Sequence, residues 1–236
     1  MVKFMGILNL TPDSFWEPSR YGYDVLKSYP DILDVGAVST RPGADPVSLE
    51  EEWSRLEPFL KSWASGELFD TFYKPQLSID TTRAEIVRRA YRIVGPFMVN
   101  DISAGEDDPE MLPLVGEVDL PYVAMHKRGN PKTMDGLTGY SEDIIGDIID
   151  YFKGFEVRAE ESGIKDWILD PGLGFAKTEE QNWAILEGLE RLKIFHRPIL
   201  IGASNKRFTK GDTARANTLA VRHGAAILRV HEIIPL

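Results

Sequence analysis

In Trp167-Ile168-Leu169-Asp170-Pro171-Gly172-Leu173-Gly174-Phe175-Ala176-Lys177-Thr178, an apolar run ends in a single carboxylate and a glycine-rich loop follows. Pro171 and Gly172 stop a strand there. Thr178, with Gln181 three residues on, reads as a capping box that opens a helix. A carboxylate at the end of a buried strand is costly unless it meets a partner. Taken alone, Asp170 equally suits an ordinary strand-terminating turn. The case for a site is that the same unit recurs along the chain.

That unit is an apolar strand, a polar residue at its end, a Gly/Pro/Asp loop and an amphipathic helix. The pattern predicts strands over 3–8, 31–35, 76–79, 97–99, 122–125, 167–169, 198–201 and 226–230. Ser48 with Glu51 predicts a capped helix with the stripe Leu49, Trp53, Leu56 and Leu60, kinked or split at Pro58. Thr82 with Glu85 predicts a cap for the next helix. Further helices are expected over about 21–29, 141–161 and 214–223. Eight strands alternating with helices give an α/β class with a parallel sheet. An eight-stranded (β/α)8 TIM barrel, one domain over residues 1–236, fits best, with a short first helix and no eighth. An open doubly wound sheet is the alternative, but no Gly-x-Gly-x-x-Gly follows the first strand. Either the barrel closes without that last helix or something else covers the last and first strands, and a groove left uncovered there would expose apolar surface.

Composition narrows the class. The chain has 236 residues, 43% of them hydrophobic and 27% charged, as in an ordinary globular domain. No apolar run is long enough to cross a bilayer, so no membrane partner is expected. Cysteine is absent, which removes thiolate chemistry and fits a reducing, cytoplasmic setting. A net charge of −10 argues against nucleic acid as a partner. An anionic substrate would have to be met by a few local basic residues.

The polar residues at successive strand ends are Asn9, Asp80, Asn100, His126, Asp170, Lys206, Arg229 and His231. A barrel would bring them to one face. Each alone is as well explained as a turn or cap residue. Together, two carboxylates and a carboxamide suit a flat heterocycle carrying amino and ring N–H donors. Arg229 and His231, two apart, are expected to face the same way and to suit phosphate. Among the histidines, no spacing marks a zinc site.

Several of these stretches resemble the dihydropteroate synthase family of pterin-binding barrels. They are Gly6-Ile7-Leu8-Asn9-Leu10-Thr11-Pro12-Asp13-Ser14-Phe15, Ser39-Thr40-Arg41-Pro42-Gly43-Ala44, Ser78-Ile79-Asp80-Thr81 and Asn100-Asp101-Ile102-Ser103-Ala104-Gly105. Met125-His126-Lys127-Arg128-Gly129-Asn130-Pro131, Leu169 to Thr178 and Arg229-Val230-His231-Glu232 continue the likeness. The resemblance implies condensation of 6-hydroxymethyl-7,8-dihydropterin pyrophosphate with p-aminobenzoate, giving 7,8-dihydropteroate and pyrophosphate. It implies a pterin pocket of Asp80, Asn100, Met125, Asp170, Gly202, Lys206 and Arg229. A pyrophosphate site of Asn9, Arg229 and His231 is implied as well, with Asn9 touching Mg²⁺. Thr40, Arg41, Pro42, Phe175 and Arg207 would form the p-aminobenzoate pocket, partly on mobile loops. Asp80, Asp170, Lys206, Arg229 and His231 would carry the chemistry. Sulfonamides are expected as inhibitors and a homodimer as the assembly.

The chain departs from the family's pattern in four places. Asn205 stands where an arginine is usual, and Phe15 is followed by Trp16-Glu17-Pro18 in place of Asp-Gly-Gly. Glu232 replaces an aspartate, and the last helix, on the side through which the family dimerises, is expected to be missing. Two rivals remain. One is a methyltetrahydrofolate:corrinoid methyltransferase, which has no need of the Ser-Thr-Arg-Pro-Gly loop. The other is a pterin binder with little turnover.

Overall fold

The structure, a computed structural model, describes residues 1–10, 28–38, 47–68, 73–129 and 133–233. Eight strands form one parallel sheet: β1 (Lys3–Asn9), β2 (Ile32–Gly36), β3 (Gln76–Asp80), β4 (Met98–Asp101), β5 (Tyr122–Met125), β6 (Trp167–Asp170), β7 (Leu200–Ile201) and β8 (Ile227–Val230). Neighbours pair in chain order, and β8 pairs back onto β1, at Lys3 with Ile227 and Gly6 with Val230. The seam between β6 and β7 is a single bridge, Leu169 with Ile199, where Leu169 N donates to Pro198 O at 3.0 Å. Pro198 has no N–H to give, so β7 begins later than its apolar run and spans two residues. The barrel is therefore nearly closed.

Six α-helices lie among the described residues: α1 (Leu49–Ser65), α2 (Ala84–Val94), α3 (Met111–Glu117), α4 (Ile144–Glu161), α5 (Glu179–Glu187) and α6 (Thr213–Arg222). None is long and apolar enough to cross a membrane. Ser48 caps α1 through Glu51 N, and Thr178 and Gln181 close the expected capping box on α5. Helix α1 runs unbroken through the exposed Pro58, so of the two expected outcomes there the split does not occur. One local expectation fails. Thr82 does not cap α2; Ala84 N donates to Asp108 Oδ2 at 2.8 Å, so a partner distant in sequence does that work. The expected first helix lies outside the described residues. No helix follows β8 among the described residues, yet its outward Leu228 and Val230 are buried and Ile233 packs on the outer core. Of the two alternatives, the outer face of β8 is therefore covered without a helix after it among the described residues.

Strand periodicity sorts every side chain. Outward residues such as Val35, Ile79, Val99, Tyr122, Leu169 and Ile201 join the helices in one large core. Inward residues Met5, Ile32, Met98, Val123, Ile168, Leu200 and Ile227 form a separate plug inside the barrel. Two positions on, toward the carboxyl ends, four of these strands place a polar residue inward: Asp34, Asn100, Asp170 and Arg229. That change from apolar plug to polar layer creates the site.

Candidate active site

The polar layer is built by strand register. Asn9 pairs with Gly36, Gly36 with Asp80 and Asp80 with Asn100, so these positions form one row across four strands. Met125 pairs with Asp170 beyond them. Gly36 makes room in this row, since a Cβ there would stand 3.3 Å from the Cβ of Asp80. Arg229, inward on β8, reaches over from the far side.

Arg229 is the hub. Its Nη2 lies 2.7 Å from Asp80 Oδ2 and its Nε 2.7 Å from Asp34 Oδ2. Burial works against its charge, but Asp34 and Asp80 hold its pKa above the ordinary arginine value. Burial pushes the Asp80 carboxyl up to about 7, with Arg229 opposing and Asp34 adding to the rise. Asp34 was not singled out by sequence because it sits mid-strand in Ile32-Leu33-Asp34-Val35-Gly36. Its signal was an inward carboxylate two residues before Gly36 inside a buried run, which demands partners.

Asp170 accepts Gly172 N at 2.7 Å, so the strand-end carboxylate also ties down the loop that follows. Burial raises its pKa, against that N–H and the charges of Lys206, Arg229 and Lys177. Gly172 has φ +69, and a Cβ there would run into the carbonyl oxygen of His126. Only glycine fits this position. The loop brings Phe175 under Lys206, whose ammonium is 4.2 Å from the ring centroid. Burial lowers the Lys206 pKa to about 8; Arg229 adds to the fall, while Asp170 and Asp80 oppose it.

The remaining expected residues fall as follows. Met125 and Asn100 are buried, and Asn9 and Gly202 are partly exposed, all on inward positions. His231 lies just past the end of β8, is exposed, and meets Ser204 through its backbone N and its Nδ1. Arg207 is exposed on a short 3-10 turn beside Lys206. Thr40, Arg41 and Pro42 lie outside the described residues.

His126 does not join the ring of polar residues. It is buried on the outward side, edge-on to Tyr151 with centroids 4.8 Å apart. Its Nδ1 is 3.1 Å from Lys177 Nζ, which also donates to Gly172 O and Phe175 O at 2.9 and 3.0 Å. Burial, then the charges of Lys177 and Arg128, drives the His126 pKa down to about 2, so the ring is neutral and accepts. This pair pins the glycine loop from behind. Asp101, adjacent to Asn100, is likewise outward and holds Tyr122 Oη at 2.6 Å and Ser103 N at 2.7 Å.

The result is a mouth lined by Asp80, Asn100 and Asp170 as acceptors, with Lys206 and Arg229 as half-buried cations. Comparison with known proteins gives the same direction. A family model described as pterin binding enzyme matches residues 5–231. The dihydropteroate synthase of Synechocystis sp. is 38% identical over 252 residues, covering 97% of this chain and 84% of that protein. Among solved structures, the Xanthomonas albilineans dihydropteroate synthase with 4-aminobenzoic acid has a TM-score of 0.84 at 31% identity, covering 98% of this chain and 88% of that one. The Yersinia pestis dihydropteroate synthase in a sulfonamide drug complex has a TM-score of 0.84 at 30% identity, covering 98% and 89%.

Proposed function

The chain belongs to the pterin-binding enzyme family, and from that premise we propose that it acts as a dihydropteroate synthase. It joins the amine of p-aminobenzoate to the methylene of 6-hydroxymethyl-7,8-dihydropterin pyrophosphate. The C–O bond to pyrophosphate breaks, a C–N bond forms, and the amine gives up one proton. The observation that carries this reading is the gathering of Asp80, Asn100, Asp170, Lys206 and Arg229 at one barrel mouth, over an apolar plug.

Each group has work in this reaction. Asp170 and Asn100 accept hydrogen bonds from the pterin's amino and ring N–H groups, and Lys206 donates to its carbonyl. Arg229 and His231 take up the negative charge that grows on the departing pyrophosphate. Departure leaves a cation on the methylene, delocalised into the ring, which Asp80 and Asp170 stabilise. The aniline amine is nucleophilic enough to attack without a dedicated base. Phe175, Thr40, Arg41, Pro42 and Arg207 would hold p-aminobenzoate, and a sulfonamide would compete there. The composition fits a cytoplasmic setting.

Among the described residues no group of three or more His, Asp or Glu could hold a metal ion. Asn9, inward at the end of β1, would hold Mg²⁺ beside the pyrophosphate. Bound there, the ion would neutralise charge on the leaving group.

Incubation with both substrates and Mg²⁺ tests the proposal, with dihydropteroate followed by chromatography. Product is expected from the wild type and none above background from Asp170→Asn. Pterin binding without product would leave only a binding protein.

A further inference from the structure

Asp34 lies in the barrel interior with 0% side-chain exposure, so no ligand touches it. Its Oδ1 accepts Ser78 Oγ at 2.7 Å, which fixes the carboxylate plane. Its Oδ2 accepts both Asn100 Nδ2 at 2.9 Å and Arg229 Nε at 2.7 Å. A carboxylate only accepts, so Asn100 must turn its NH2 toward Asp34. The carbonyl oxygen of Asn100 then faces the other way. No described residue donates to that oxygen, and it is not sealed from solvent.

We infer that Asp34 is a positioning residue that sets what the site reads. It locks Asn100 with its carbonyl oxygen toward the ligand, so the pocket demands a hydrogen-bond donor at that point. Through the same oxygen it fixes the Arg229 guanidinium, whose Nη2 is thereby aimed at Asp80. A ring with an acceptor in that place would leave two acceptors facing each other, the kind of mismatch that discriminates strongly. The inference rests on the pterin reading of the site.

The test uses bare 7,8-dihydropterin, which lacks the pyrophosphate, and calorimetry on the wild type, Asp34→Ala, Asn100→Ala and the double variant. Each single change should weaken binding at least about ten-fold, while the double variant should lose at least about five-fold less than the product of the two single losses, because Asp34 acts in large part through Asn100. Losses that multiply, or an Asp34→Ala protein that binds like the wild type, would overturn the inference. If Asp34→Ala does not fold, Asn100→Asp supplies the test. It keeps an oxygen toward the ligand but sets a second carboxylate against Asp34, and a shared proton restores the contact. Its affinity relative to the wild type should rise at least about five-fold from about pH 8 to about pH 6; a flat ratio overturns the inference. Asp80, Lys206 and Arg229 face the same position, and the new carboxylate couples to Asp80, so the rise should persist when Asp80→Asn is placed in both proteins. A wild type that fails to bind dihydropterin would count against the pterin reading, whereas wild-type binding with Asp34 dispensable would count against Asp34 alone.

Discussion

The ammonium of Lys206 rests over the ring of Phe175, 4.2 Å from its centroid. The two residues come from different loops, one after β7 and one after β6, and the contact joins the proposed pterin and p-aminobenzoate pockets. A cation over an aromatic face in a partly desolvated site is held by about 1–2 kcal/mol. Phe175→Ala should therefore release Lys206 and raise the KM for both substrates by several fold. A rise confined to p-aminobenzoate would show that the contact does not position Lys206.

Lys206 also predicts a pH limb. With its pKa lowered to about 8 from 10.5, its charge is lost as pH rises through about 8. Pterin affinity should fall along that limb, and Lys206→Met should abolish the limb along with most of the affinity. The stability sign is opposite. Between the two values the unfolded chain binds more protons, so the wild type gains stability relative to Lys206→Met as pH rises. Thermal melts across that range check it; a relative gain toward acid pH would contradict the assignment.

Arg229→Ala should cost on the order of 3–5 kcal/mol of stability, because it strands the carboxylates of Asp34 and Asp80 without their cation. Where the variant still folds, it should lose more affinity for the pyrophosphate-bearing pterin than for the bare pterin. Equal losses would move the phosphate contact elsewhere.

Two glycines give a contrast in backbone terms. Gly172→Ala meets a positive φ and the His126 carbonyl at once, so it should destabilise by more than about 2 kcal/mol and disorder the Asp170 loop. Gly154 lies in α4 with open space about it, and Gly154→Ala should stabilise by up to about 1 kcal/mol. Denaturant melts compare them; equal effects would refute the steric account of Gly172.

Much of this was legible in the chain because a parallel barrel writes its site at strand ends. Asp80, Asn100 and Asp170 each follow a short apolar run and close it. Asp34 was hidden because it interrupts such a run and does not end it. Its partners Ser78, Asn100 and Arg229 come from three other strands, which no local pattern brings together. His126 misled for the converse reason. It stands just past the end of β5, but period-two alternation turns it outward, where it braces a loop. The Thr82 cap failed because Asp108, far along the chain, binds Ala84 N.

Pyrophosphate release from the dihydropterin pyrophosphate, with Mg²⁺ and with or without p-aminobenzoate, tests the central claim most directly. The account predicts release that p-aminobenzoate accelerates, matched mole for mole by dihydropteroate. Tight pterin binding with no release under either condition would contradict it.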